Sequence, residues 1–419
     1  MAVKTGYKLT EVGVIPEDWE VPNLDAIANI VDPQPDHRTP PEMSGGEPYI
    51  GISDFQDHGL IDWNGCRRVI SKAVDKQQAR FQICPGDIIF GKIGTIGSPK
   101  FLPLTSFRYA LSANIILVQP EIEPYYVMAW LTSSIVQQNI NQELHSTSQA
   151  AFGINKMRCL PIALPPSSER RAIAAALGDV DALLGALDRL IAKKRDLKQA
   201  AMQQLLTGKT RLPGFSGKWE LKTFDEVCEK IQDGTHFSPK PGGNDYLYVT
   251  SKNIRFGTLD ISTAERISAA EHAKIYGRCD VRRGDLLLTK DGANTGNAAL
   301  NTLNEPFSLL SSVALLRFDD RRYSTAFFLY QLLSNHGQTQ IDEMMSGNAI
   351  TRLTLAKIRA LGFAVASFEE QVAIATVLKA MDAELAALEQ RLAKTRDIKQ
   401  AMMQELLTGK TRLPQEAHA

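Results

Sequence analysis

Residues Glu169–Pro213 read ERRAIAAALGDVDALLGALDRLIAKKRDLKQAAMQQLLTGKTRLP, and Glu370–Pro414 read EQVAIATVLKAMDAELAALEQRLAKTRDIKQAMMQELLTGKTRLP. The second stretch follows the first at a shift of 201 residues without a gap, and 28 of the 45 aligned positions are identical. A fixed internal shift is the mark of a duplicated structural unit. In the first copy Ile173, Leu177, Val180, Leu184, Leu187 and Ile191 step by four and three residues. Ile374, Leu378, Met381, Leu385, Leu388 and Leu392 repeat the pattern in the second. These are the a and d positions of a coiled coil. Lys194 and Thr395 interrupt the seam at matching places, after which Leu197, Leu205, Ile398, Met402 and Leu406 are expected to resume an apolar face.

The ends of both helices are legible. Pro165-Pro166 precedes the first, and Ser367-Phe-Glu-Glu370 has the form of a capping box for the second. Gly208 and Gly409 stand where a helix stops, with Pro213 and Pro414 beyond them. Each helix is expected to run about 40 residues, or about 60 Å. Two helices of matching length, one central and one terminal, can pair antiparallel and give the tandem repeat a pseudo-twofold axis. Their length then acts as a ruler between the heads. Gly178 and Gly185 lie inside the first helix, each costing roughly 1 kcal/mol relative to alanine. Close backbone approach would account for them, and so would drift.

Away from the helices the two copies are similar but divergent. PGDIIFGKIGTIG (Pro85–Gly97) answers RGDLLLTKDGANTG (Arg283–Gly296), and INKMRCLPIALP (Ile154–Pro165) answers LAKIRALGFAVA (Leu355–Ala366). Four segments follow: a head over 1–166, a helix over 167–213, a second head over 214–366, and a second helix with its tail over 367–419. Strand-like runs such as GDIIF, NIILV, GDLLL and SVALL alternate with turn-rich loops, and helical stretches lie near Tyr125–Gln138 and Tyr323–Leu333. Each head reads as α+β with a curved, largely antiparallel sheet. Divergent heads on near-identical helices suggest that the heads discriminate and the helices assemble.

At 419 residues, 44% hydrophobic and 22% charged, the chain has the balance of a soluble multidomain protein. It has neither an apolar run of membrane-spanning length nor a signal-peptide core near its start, so a cytoplasmic location is expected. Cys66, Cys84, Cys159, Cys228 and Cys279 are scattered, without zinc-ligand spacing, and read as free thiols. Basic and acidic residues balance at 47 each. Residues 1–166 carry 13 basic and 17 acidic side chains, and residues 214–366 carry 18 and 17. Nonspecific DNA binders show a strong basic excess. Either this chain does not bind DNA, or it reads bases locally while other subunits supply much of the phosphate contact.

Catalytic motifs fail on inspection. Gly86-xxxx-Gly91-Lys92 is followed by Ile93 where a phosphate loop needs Ser or Thr, and Gln203 replaces the leading glycine before Gly208-Lys209-Thr210. Phe90 and Leu288 stand where a nuclease would place an acid ahead of Lys92 and Lys290, and no adenine-methyltransferase tetrapeptide is present. The chain is expected to catalyse nothing. What remains are polar loops suited to base edges, since Arg, Lys, Asn and Gln can make paired contacts to guanine or adenine. The candidates are His37, Arg38, Lys92, Thr95, Thr147, Ser148 and Gln149 in the first head. In the second they are His236, Lys252, Asn253, Lys290, Asn294, Thr295 and Asn348. Any one such loop alone is more simply a solvated turn, but recurrence at equivalent places favours recognition. A non-catalytic two-headed scaffold joining proteins without reading DNA fits the repeat equally well, yet leaves the polar loops without a role.

The run STSQAAFGINKMRCLPIALPPSSERRAIAAALGDVDALL resembles the junction of a target-recognition domain and a conserved helix in specificity subunits of type I restriction–modification systems. ASFEEQVAIATVLKAMDAEL repeats it, and the two KTRLP helix ends are similar to that family's as well. The resemblance spans the chain. It implies two α/β target-recognition domains on an antiparallel coiled coil, each reading half of a bipartite, asymmetric DNA site. It further implies docking of two modification subunits that carry S-adenosylmethionine, joined by restriction subunits that bring ATP and magnesium. No cofactor is expected on this chain. Glu169-Arg170-Arg171 departs from the Glu-Gln that the second copy keeps at Glu370-Gln371.

Overall fold

Both long helices form where the heptad spacing puts them. Ser167–Leu205 and Phe368–Leu406 are continuous α-helices of 39 residues each. The computed structural model describes residues 4–36, 38–56, 59–145, 151–240, 243–345 and 352–413. Each helix stops at a glycine in the left-handed region, Gly208 at φ +68° and Gly409 at φ +66°. A side chain there costs about 1–2 kcal/mol, and at Gly409 a Cβ would also lie 2.4 Å from the ring of Pro16.

The expected capping box is only half made. Ser367 Oγ accepts the Glu370 N–H at 3.4 Å, while the Glu370 carboxylate is taken by Arg211 and by the Trp219 indole. A charge-assisted bond to a guanidinium is stronger than one to a backbone N–H, so the tertiary partner wins. Gln371 is buried and bridges Ser324 N and Ala366 O. At the matching place in the first copy, Arg170 bonds Glu123 instead. The sequence departure at Arg170 is thus offset by an acid at the position corresponding to Ser324.

The chain divides into two compact units, residues 1–189 with 390–419, and residues 190–389. This cuts across the linear order of head and helix, because each unit takes the first half of its own helix and the second half of the other. In the first unit Ile173, Leu177, Leu406 and Leu407 join one core with Trp19, Tyr126 and Trp130. In the second, Ile374, Leu378, Met202, Leu205 and Leu206 join Phe224, Phe327 and Phe328. Within each unit the helix halves run antiparallel. Asp181 meets Lys399 at 2.6 Å and Asp188 meets Arg396 at 3.5 Å in the first. Lys198 meets Asp382, and Arg195 meets Glu389, both at 2.5 Å in the second. Exposed pairs of this kind contribute little stability, but they are consistent with one register in both units.

Leu197 and Ile398 do not resume the seam as expected; they are 47% and 46% exposed. Continuing the four-three step from Ile191 leads to Lys194, Lys198, Ala201 and Leu205, so a residue one place before Lys198 points away from the paired face.

Each unit contains a four-stranded antiparallel sheet of the same order. In the first, Ala28–Val31, Ile115–Pro120, Ile88–Gly91 and Lys100–Phe101 lie side by side. In the second the order is Cys228–Asp233, Val313–Phe318, Leu286–Thr289 and Ala298–Leu300. Ile88, Phe90, Ile116 and Val118 share the core with Trp19 and Trp130, whereas Ile89, Ile115 and Leu117 pack with Ile50 and Leu111. Burial on both faces explains why these strands read as unbroken hydrophobic runs. A smaller sheet accompanies each: Glu42–Ile50 pairs antiparallel with Arg68–Val69 and parallel with Ala110–Leu111. Tyr246–Val249 does the same with Glu265–Ile267 and Ser308–Leu309. Among the described residues the sheets are therefore largely antiparallel, with one parallel pair of strands in each of the smaller sheets.

Candidate nucleic-acid interface

In both large sheets, the strands flanking the central one end in an aspartate and a lysine. Ala28–Val31 runs into Asp32 and Ile88–Gly91 into Lys92, with Lys92 Nζ 3.2 Å from Asp32 Oδ2. Cys228–Asp233 and Leu286–Thr289 repeat this, with Lys290 Nζ 3.1 Å from Asp233 Oδ2. The lysine side chains are 6% and 4% exposed. The expectation that Lys92 and Lys290 touch bases is corrected accordingly. Their ammonium groups are engaged inside the sheet end, where a charge is tolerated only when paired.

Three stretches of chain are tied to each lysine. The N–H of Lys92 donates to Asn114 O, and its own carbonyl accepts from Phe152 N. Lys290 N–H donates to Ser312 O, and its carbonyl accepts from Leu353 N. The turn after Lys92 folds back so tightly that a Cβ on Gly91 would sit 1.7 Å from Thr95 O. Only glycine fits there.

Around these anchors lie several of the expected contacts. Arg38 and Thr95 are exposed in the first unit. In the second, Lys252 is exposed, and His236 is exposed with Nε2 3.3 Å from Asp233. Asn294 and Thr295 are half-buried. Asn294 Nδ2 reaches Ser251 O at 3.4 Å, and Thr295 Oγ1 donates to Gly292 O at 2.7 Å. Asn253 is a correction: it is buried, accepts from Thr250 N and donates to Asp260 O. It shapes its turn rather than facing solvent. His37, Thr147, Ser148, Gln149 and Asn348 lie outside the described residues.

Sequence reasoning missed Asp32 and Arg352, and it placed Asp233 and Asp291 only within polar loops, without their ion-pair roles. Arg352 bonds Asp291 at 2.6 Å and ties the chain before Leu353 to the turn after Lys290. Asp32 and Asp233 stand at the same 201-residue shift as the long helices, a signal that was available. The Gly-Asp aspartates are structural. Asp87 accepts from Cys84 N and from Gln119 Nε2, both at 2.8 Å, and burial pushes its carboxyl up. Asp285 accepts from Arg282 N and from Arg317. Beside it, burial raises the Asp280 carboxyl but the bonds from Lys230 and Arg317 outweigh this, holding it at about 2.

Among the described residues, no group of three or more His, Cys, Asp or Glu side chains could hold a metal, and no helix is long and apolar enough to cross a membrane.

Two heads of one fold, with divergent polar loops gathered at the same sheet end and near-identical helices, define a duplicated recognition protein. Residues 16–193 and again 216–395 match the family described as type I restriction modification DNA specificity domain. The chain belongs to that family, the specificity subunits of type I restriction–modification systems. A Methanocaldococcus jannaschii chain assigned as the type I restriction enzyme MjaX specificity subunit is 25% identical, over 97% of each chain. The MjaVIII specificity subunit of the same organism is 22% identical over 95% of this chain and 94% of its own. Among solved structures, the type I S subunit of M. genitalium superposes with a TM-score of 0.59 at 15% identity, covering 97% of this chain and 98% of its own. A chain from work on complex assembly and conformational transition of the type I R-M system gives 0.54 at 19% identity, covering 95% and 99%. These two likenesses concern the fold.

Proposed function

We propose that each unit reads one half of a bipartite, asymmetric DNA site, and that the helices dock two modification subunits with restriction subunits joining them. On this reading S-adenosylmethionine, ATP and magnesium belong to the partners, and this chain holds no cofactor. The observation that carries the reading of two half-sites is that loops of unlike sequence leave the same sheet end in both units, each set built on the same Asp–Lys pair. Unlike loops on a like frame are what two different half-sites require. The balanced charge of each head fits a protein whose partners share the phosphate contacts.

Docking of two copies of one partner is supported by residues that the fold does not use. Lys193 and Lys394, Asp196 and Asp397, and Ala200 and Ala401 are identical across the repeat and exposed, and the apolar pair Leu197 and Ile398 is similar and exposed. A surface repeated twice suits a partner bound twice.

The test is a segment exchange. Residues 214–366 are replaced by the equivalent part of another family member, and methylation sites are mapped in a host that also makes the modification subunits. One half of the site is expected to change while the other stays. A change in both halves overturns the reading.

A further inference from the structure

We infer that Asp32–Lys92 and Asp233–Lys290 are positioning pairs, each aiming the base-contacting loops of its own unit and so controlling the base preference of one half-site. This rests on the proposed reading of DNA and adds to it the residues that govern selectivity from inside the sheet.

The geometry begins with strand order. Aspartate and lysine leave the two strands on either side of the central strand, two strand spacings or about 9–10 Å apart. The lysine side chain closes that gap at the end where Ile115–Pro120 and Val313–Phe318 begin. Each pair therefore fixes the separation of the chain after Asp32 or Asp233 from the turn after Lys92 or Lys290. The lysine backbone adds two further ties, to Asn114 and Phe152 in one unit and to Ser312 and Leu353 in the other. A shift of one lysine moves the bases of three chain segments together. In the second unit Asp233 also holds the exposed His236, which links the buried pair to the surface.

Stability alone does not account for the pairs. Replacing a buried ion pair with packed apolar side chains is often neutral or stabilising, and the strands that lead into the two lysines, Ile88–Gly91 and Leu286–Thr289, are buried along their whole length. Yet both units have the pair at the same sheet end and with nearly the same distance, while the loops around it differ. A pair kept where its surroundings have diverged points to a demand for direction, which an ion pair supplies and an apolar contact does not.

The experiment uses the full chain assembled with its modification subunits, with methylation measured on DNA libraries randomised in one half-site at a time. Asp32→Leu with Lys92→Met removes the pair without stranding a charge, and Asp233→Leu with Lys290→Met does so in the other unit. Each double variant is expected to melt within a few degrees of the parent. It should raise KM for the parent site tenfold or more and broaden base preference in one half only, while kcat at saturating DNA falls less than twofold. The two variants should affect opposite halves, and Lys92→Arg should retain most of the selectivity. A double variant that folds like the parent and keeps its base preference in both halves overturns the inference, as does broadening in both halves at once. A parent complex that shows no sequence preference would instead overturn the reading of DNA itself.

Discussion

The Arg412 guanidinium closes on the Glu169 carboxylate with two bonds of 2.7 Å, across 243 residues of sequence. Glu169 is fully buried and also accepts from the Trp19 indole at 3.2 Å, while Arg412 lies 5.9 Å over the Trp19 ring and bonds Asp18. Arg211, Glu370 and Trp219 form the same cluster in the second unit. In each case the arginine comes from the end of one long helix and the glutamate from the start of the other. The tail of each repeat thus completes the unit built on its counterpart.

Removing the arginine strands a buried carboxylate, which costs about 3–5 kcal/mol. Arg412→Ala is expected to destabilise the first unit by about 3 kcal/mol, and Arg211→Ala to destabilise the second. Hydrogen exchange resolved by unit measures this. Protection lost equally in both units would contradict the local assignment.

Gly178 and Gly185 offer room for stabilisation. A Cβ on Gly178 would meet the Tyr125 ring at 3.7 Å, and one on Gly185 would meet only the flexible end of Arg189 at 3.4 Å. Neither close approach demands glycine. Gly178→Ala and Gly185→Ala should each add about 0.5–1 kcal/mol, read as a higher Tm. A fall in Tm would reveal a packing constraint at that position.

Acid should loosen the second unit through Asp280. Its carboxyl is held at about 2, below the ordinary 3.8. A lowered folded pKa means the contribution is fully present above about pH 4 and is lost as pH falls toward 2. It amounts to roughly 2 kcal/mol at most. Asp280→Asn should flatten the stability profile of this unit between pH 4 and 2, in urea titrations at stepped pH. An unchanged slope there would exclude Asp280 as a source.

The exposed apolar residues of the helices bear on assembly. Leu197→Glu and Ile398→Glu are each expected to cost the complex one modification subunit, and the two together to cost both. Native mass spectrometry of co-expressed complexes counts the subunits. Two modification subunits retained by the double variant would place docking elsewhere.

By itself the sequence determined the duplication, both long helices with their glycine stops, and the hydrophobic strands at the heart of each head. These are local signals: apolar spacing, turn chemistry and an internal shift act within a few residues of where they are read. It also pointed to the turns after Lys92 and Lys290 as the place of interest. Only the tertiary structure decided what those lysines do, because the aspartates that bury their charge lie some 60 residues away on strands that meet only in the sheet. Glu370 shows the same division. Its neighbours give it the form of a capping residue, but Arg211 arrives from 159 residues away and takes the carboxylate. Local propensity decides which elements form; competition among distant partners for the same buried charge decides what their polar residues do.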